Sequence, residues 1–183
     1  MIEDKKNKEK NKNIKWILTI TILAFIISIV FSLLSELIMP KVDLIIGLII
    51  MLLFIILGII FDIIGVAVTT SSEEPFHSMS SKKIKGANLA VNLKKNANKV
   101  STFCNDVIGD ICGIISGSAG VYVASKISLS LDINPLISSL LITGIISSLT
   151  IGGKALGKSF AMNNCTQISF TFSKIISRFY KFK

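Results

Sequence analysis

Two long stretches of the sequence contain no charged residue, and they constrain the fold more than any other feature. Residues 16–35 (WILTITILAFIISIVFSLLS) and residues 44–61 (LIIGLIIMLLFIILGIIF) are uncharged over 20 and 18 positions. A helix of roughly 20 apolar residues spans the hydrocarbon core of a bilayer. Both stretches are therefore predicted to be transmembrane helices, and the chain to be an integral membrane protein.

The first stretch must be distinguished from a cleaved signal peptide. Its apolar run is longer than the about 7–15 residues of a signal-peptide core, and no small-x-small cleavage site follows it. Glu36 and Pro40 end the run instead. We interpret residues 16–39 as a retained first transmembrane helix.

The remainder of the chain predicts two further spans and two amphipathic helices. A third span is expected from about Val100 to Ser125, and Pro135 opens a fourth that ends near Gly153. Residues 76–99 and 160–182 place apolar side chains at helical spacing among lysines, which predicts helices lying at the membrane interface. For residues 76–99 an ordinary soluble loop is the alternative.

The predicted fold is therefore an all-α integral membrane protein with four transmembrane helices plus two amphipathic interfacial helices. Its expected parts are a basic cytosolic tail (1–15) that is disordered over residues 1–13, the first transmembrane helix (16–39), the remaining transmembrane domain (42–158) and a C-terminal amphipathic cytosolic helix (159–183).

The basic residues predict the orientation of these spans. Of the 20 lysine and arginine residues, 18 lie before the first span, between the second and third, or after the fourth. The other two, Lys41 and Lys126, fall in the remaining loops. The positive-inside rule then places both termini in the cytosol of a multi-pass cell-membrane protein. The net charge of +9 thus serves orientation and contact with anionic lipid headgroups, and nucleic-acid binding is not expected.

Small residues in the third span predict close helix packing. Gly109, Gly113 and Gly117 recur at four-residue intervals, a spacing that lets helix backbones approach each other in lipid. Hydroxyl side chains add polarity to the fourth span. We expect the last two spans to face protein and the first two to face lipid.

Two aspartates interrupt the third span. At about 1.5 Å per residue, Asp106 lies roughly 9 Å and Asp110 roughly 15 Å below Val100, while Asp62 lies about 27 Å from the outer end of the second span. An ionisable group at such depth costs several kcal/mol unless it is paired or hydrated. Asp106 is explained equally well as an interfacial residue wetted by water, whereas Asp110 is too deep for that.

Two hypotheses account for Asp110. Carboxylates with neutral oxygens, here from Asn105 and Thr69, suit Mg²⁺ or a similar hard cation. Alternatively, Lys154 at the inner end of the fourth span forms a structural ion pair with a carboxylate. We expect no enzyme activity and no cofactor other than Mg²⁺ as a bound ion, because no nucleophile elbow or phosphate-binding glycine loop is present and His77 is the single histidine.

Three segments resemble the membrane domain of the CorB/CorC/CNNM magnesium transporters. They are FDIIGVAVTTSS (61–72), VIGDICGI (107–114) and IGGKALGKSFAMNN (151–164), within a similarity that covers about residues 42–180. The resemblance implies that hydroxyl, asparagine and acidic oxygens from these segments hold a dehydrated Mg²⁺, and that the domain forms a homodimer.

This sequence departs from the family pattern at several of those positions. Asp62 stands where the family tends to have serine, and Asp110 where it tends to have asparagine. Lys154 replaces an acidic residue and Gly157 a proline, whereas Lys158 keeps a lysine, so that Lys154 and Lys158 become candidates for ion pairing or gating. The paired CBS module of the family is not found, and the first span is additional.

These features predict a membrane transporter, or transporter-like protein, for divalent cations, most of all Mg²⁺ and secondarily Co²⁺. The alternative is a non-transporting membrane subunit or scaffold with an internal Asp–Lys ion pair. A holin-like pore former is a third hypothesis, which the acids within the spans do not favour.

Overall fold

The computed structural model describes the backbone of residues 2–179 and the side chains of residues 14–178. That part of the chain is helical throughout and contains no strand. Its helices are α1 (Ile2–Ile38), α2 (Leu44–Thr70), α3 (Glu74–Ser81), α4 (Ala87–Lys95), α5 (Ala97–Ser101), a π-helical segment (Thr102–Gly109), α6 (Asp110–Leu131), α7 (Pro135–Asn163) and α8 (Cys165–Phe179).

Four helices are long and apolar enough to cross a membrane, which confirms the predicted number. They are α1 from Ile14, α2, the continuous helix Ala97–Leu131 formed by α5, the π segment and α6, and α7. The third extends beyond the predicted 100–125, and α7 continues to Asn163 through the glycines where we expected it to end. The loop between the third span and α7 is short. Asn134 caps α7 through its side chain, and the fixed φ angle of Pro135 suits the first helical turn.

The basic tail does not form the disordered segment that we expected. The backbone is helical from Ile2, so residues 2–15 continue α1 toward the amino terminus. Lysine and glutamate are good helix formers, and the apolar stretch that follows supplies a nucleus from which the helix can propagate.

Helix α2 lies at the centre of the bundle and packs against α6, α7, α8 and the π segment. Two glycines open its face toward α6. Gly47 lies against Val123, and a Cβ on Gly58 would come within 3.2 Å of the Cβ of Cys112. The prediction that the first two spans face lipid is therefore wrong for α2. The same prediction agrees with the structure of α1, because the most apolar stretch of this helix contains no buried residue.

The expectation that the last two spans face protein is confirmed only for the third. It is the most buried of the four, whereas α7 is largely exposed. Ile142 and Ile146 of α7 lie against Gly120, and Gly153 and Gly157 receive isoleucine side chains of α2. One narrow face of α7 thus contacts the bundle.

The glycines predicted to pack in α6 divide into two groups. Gly109 is buried, but a Cβ on Gly113 or on Gly117 would meet no atom within 4 Å. Within this chain the close helix contacts use glycines of α2 and α7, and Gly120 of α6. Packing at Gly113 and Gly117 stays a prediction, since no part of this chain reaches these two residues.

A small helical cap stands at the end of the bundle where α2 stops. The predicted helix over residues 76–99 is broken into α3, α4 and α5. Phe76, Ala90 and Val91 form its core together with Met79 and Phe170. Gly86 precedes α4 with φ of +93°, and a Cβ there would lie 3.1 Å from the Cα of Lys174, so that both conformation and space require glycine.

Helix α8 begins at Cys165, five residues later than the predicted start at 160, since α7 occupies the intervening positions. It packs against α2 and α4. Helix α8 buries Ser169 and Ser173, which lie one turn apart. Ile175, one of the apolar residues of the predicted helix over 160–182, is exposed. Small side chains therefore make the close contact.

Candidate functional site

The predicted site residues of the third span lie in or beside the π-helical segment. Thr102–Gly109 adopts this wider helix between two α-helical stretches. Single π turns within α-helices are rare and are frequently found at functional sites. Asn105 and Asp106 lie inside the segment, and Asp110 is the first residue of α6 after it.

Asp106 and Asp110 face away from the centre of the bundle. The α2-facing side of α6 buries Cys112, Ala119 and Val123, whereas both aspartates are exposed on the opposite side. Gly113 and Gly117 follow on that outer face with open space above them. We call the surface formed by Asp106, Asp110, Gly113 and Gly117 the acidic face.

Two lysine–aromatic pairs lie on either side of this face along the third span. The Lys99 ammonium lies 5.8 Å from the ring centroid of Trp16, and that of Lys126 lies 5.5 Å from the ring centroid of Tyr122. Tryptophan, tyrosine and lysine of this kind collect at membrane–water boundaries. At about 1.5 Å per residue the two pairs are roughly 35 Å apart along the third span, near the thickness of a bilayer core. Asp110 lies about midway between them.

Asp62 and Asn105 are on the inner side of the π segment. A Cβ on Gly65 would collide with the amide of Asn105, so this side chain packs directly on α2. The Asn105 Oδ1 atom is buried and has no hydrogen-bond partner among the described residues, while its amide nitrogen donates to the Ser101 hydroxyl over 3.4 Å. Asp62 is half-buried on the same face of α2, between Gly58 and Gly65.

Thr69 does not join this group, although we predicted it as a cation ligand. Its hydroxyl donates to the carbonyl oxygens of Val66 (2.8 Å) and Gly65 (3.2 Å) in its own helix. Its own carbonyl oxygen accepts from the Lys94 ammonium at 2.8 Å. The end of α2 is therefore already occupied by a cationic side chain.

Lys154 reaches the π segment but forms no ion pair there. A Cβ on Gly109 would lie 3.7 Å from its Nζ atom. Between residues 14 and 178 the one salt bridge joins His77 and Glu73, with 3.5 Å between Nε2 and Oε2. The alternative Asp–Lys ion pair is therefore not formed among the described residues. Lys158 is exposed.

The predicted site is thus split by the π segment. Asp62 and Asn105 lie on its inner side, and Asp106 and Asp110 on its outer side. Across residues 14–178, no three histidine, cysteine, aspartate or glutamate side chains stand close enough to share a metal ion. A single chain supplies carboxylates and one unpartnered amide oxygen, which suit a hard cation, but does not bring them together.

Two functional features were missed from the sequence. Lys94 binds the end of α2 across 25 residues of sequence, and Gly65 admits the Asn105 side chain. Gly58 and Gly65 are seven residues apart, about two helical turns, so they lie on one face of α2. This spacing indicates a closely packed face of that helix. No local pattern predicts the Lys94 contact.

Comparison with known proteins yields no relative. The chain matches no protein-family model, no curated protein and no solved structure.

Proposed function

We propose that the chain is a multi-pass protein of the cell membrane with both termini in the cytosol. The four apolar helices support the crossing, and the 18 basic residues at one set of helix ends support the orientation. The cap formed by α3, α4 and α8 then lies at the cytosolic interface, with its amphipathic helices against the headgroups.

Within that setting, we infer that the protein transports divalent cations, with Mg²⁺ as the leading substrate. The observation that carries this proposal is the acidic face itself. Asp110 is exposed near the middle of the third span and Asp106 is exposed about one turn nearer its cytosolic end, and no other described part of the chain covers them. A carboxylate facing lipid at that depth is costly, so protein, water or a cation must meet it.

A second copy of the chain fits this face. Gly113 and Gly117 leave open space, and small residues four positions apart allow two helices to approach closely in a bilayer. An isologous contact would bring Asp106 and Asp110 of both copies together. Four carboxylates repel one another unless a cation lies between them, and a divalent cation with oxygen ligands meets that requirement.

The inner group contributes oxygens to the same path. Asn105 Oδ1 is buried without a partner, which suits a ligand more than a packing group. Asp62 is half-buried in the cytosolic part of α2, and its carboxylate would meet a cation that moves from the cytosol toward Asn105. Lys154 beside Gly109 would then act as a competing positive charge that limits how long a cation stays, and Lys158 lies outside the path.

The test is Mg²⁺ flux into proteoliposomes reported by an entrapped dye, with Asp110→Asn beside the parent chain. Removing one deep charge from the path should reduce flux at least about tenfold. The matched control is Asp132→Asn, because Asp132 lies in the outer loop with φ of 52°, a conformation that asparagine adopts well. It should leave flux unchanged.

The second candidate is a non-transporting membrane subunit whose acidic face binds another membrane protein. The observation in its favour is that no three metal-binding side chains cluster within residues 14–178. If the parent chain moves neither Mg²⁺, Co²⁺ nor Mn²⁺ while remaining folded, transport is excluded and this candidate replaces it.

A further inference from the structure

A basic cavity opens where α1, α4 and the third span meet at the cytosolic end. Its volume is about 510 Å³, within the range of small-molecule sites. The residues that matter for its chemistry are Trp16, Lys94, Lys95, Asn96, Asn98 and Lys99.

Three lysines line this cavity, and none of the described residues that line it is acidic. Lys94 is engaged with the carbonyl oxygens of α2, but Lys95 is exposed and Lys99 only covers the face of Trp16. Two ammonium groups and the Asn98 amide remain as donors to an anion, the donor set that a phosphate group accepts. The Asn96 amide nitrogen donates one N–H to the Asn92 carbonyl oxygen over 3.0 Å and has one N–H left for the same anion.

An apolar groove of about 360 Å³ continues from this cavity. It shares Trp16 and Lys99 with the basic cavity and is otherwise lined by apolar side chains, among them Ile20, Phe103 and Phe172. Ile20 lies one turn farther along α1 than Trp16, toward the apolar part of the span. The groove therefore leads from the basic cavity into the depth of the bilayer.

We propose that the two cavities together bind one anionic phospholipid of the cytosolic leaflet. Its phosphate and headgroup lie among Lys95, Lys99 and the asparagine amides, and one acyl chain lies in the groove beside Ile20. The Trp16–Lys99 pair stands at the glycerol level between them. A free phosphate would use the basic cavity alone and would leave the groove without a ligand.

This proposal rests on the proposed membrane insertion and not on cation transport. It assigns a structural lipid to the contact between α1, the cap and the third span. Because Lys94 also ends in this cavity, the lipid would join the first span to the end of α2.

Trp16 allows a direct test, since it is the single tryptophan of the chain. The full chain is reconstituted in phosphatidylcholine vesicles that contain a minor fraction of acyl-brominated phosphatidylglycerol or, in parallel, of acyl-brominated phosphatidylcholine. Bromine quenches tryptophan fluorescence at short range. The quantity measured is the ratio of quenching by the two lipids, which corrects for altered emission in variants.

The parent chain should show preferential quenching by phosphatidylglycerol. Since each surface lysine contributes to anionic-lipid affinity, Lys95→Ala and Lys99→Ala should each lower that preference about fivefold. Lys99→Arg should restore it, because the positive charge returns. Lys82→Ala removes an exposed lysine outside the cavity and should leave the preference unchanged.

Two results would overturn the proposal. Equal quenching by both lipids in the parent chain would show that the cavity selects no anionic headgroup. Loss of the preference on adding inorganic phosphate at constant ionic strength would assign the cavity to a free anion instead of a lipid. Neither result depends on whether the protein moves Mg²⁺.

Discussion

The Nζ atom of Lys94 lies 2.8 Å from the carbonyl oxygen of Thr69, to which it donates a hydrogen bond across 25 residues of sequence. It also donates to the carbonyl oxygen of Val68 at 3.3 Å. The last carbonyl groups of a helix lack partners within that helix and carry partial negative charge. Lys94 therefore joins the cap to the carboxyl end of α2 and stabilises that end electrostatically.

We predict that Lys94→Met destabilises the folded protein by about 1 kcal/mol, the contribution of a cation at a helix carboxyl terminus together with its hydrogen bonds. Methionine keeps the length of the side chain and removes the donor. The measurement is the free energy of unfolding in mixed micelles as denaturing detergent increases. Lys95→Met is the control, since Lys95 is exposed and forms no hydrogen bond in the described structure; an equal loss in both variants would contradict the capping role.

The contact between Gly65 and Asn105 leads to a second prediction. Gly65→Ala should destabilise the protein by about 1–3 kcal/mol, because the new Cβ collides with the Asn105 amide and either this side chain or α2 must move. The same unfolding measurement detects it. Gly152→Ala is the control, because a Cβ there meets nothing within 4 Å and alanine favours the helix. A loss of similar size in both variants would show that helix flexibility, and not the contact, is responsible.

A hydroxyl pair fixes α1 to the third span and leads to a third prediction. The Ser35 and Ser118 hydroxyl oxygens are 3.0 Å apart, and Ser118 also donates to the carbonyl oxygen of Ile115. Hydrogen bonds between membrane helices contribute about 0.6 kcal/mol on average. Ser35→Ala, Ser118→Ala and the double variant should therefore give a coupling energy of about that size in unfolding experiments. Strictly additive effects would mean that the two hydroxyls do not interact.

The number and position of the spans could be predicted because each depends on a local property, the length of a predominantly apolar run. The four candidate spans of the structure fall where those runs and the polar segments between them indicated. The ends of α6 and α7 could not be placed, since Lys126 and the Gly152–Gly153 pair do not interrupt a helix that is already formed.

The internal arrangement depended on contacts between distant segments. The regular spacing of Gly113 and Gly117 identified a helix face that can pack closely, but it did not identify the partner that covers this face. Helix α2 occupies the other side of α6. The position of Asp110 along the third span followed from the sequence, whereas its outward direction depends on where α2 lies. Likewise Lys94 and Thr69 are brought together by the turn through α3, which no periodicity in α4 reveals.

The acidic face carries the last prediction, that two copies of the chain meet there. Gly113→Cys should give a covalent dimer in native membranes treated with a short bismaleimide, because a symmetric contact places the same position of both chains within reach. The parent chain gives the background, since Cys104 and Cys112 are buried and Cys165 is partly so. Gly144→Cys is the matched control on the exposed surface of α7, where a Cβ also meets nothing within 4 Å. Efficient crosslinking at residue 113 and not at residue 144 is the expected result.

Equal crosslinking at both positions would indicate random collision between chains. No crosslinking at residue 113 would show that a second copy does not cover Asp106 and Asp110, and would leave water or another protein to meet these carboxylates.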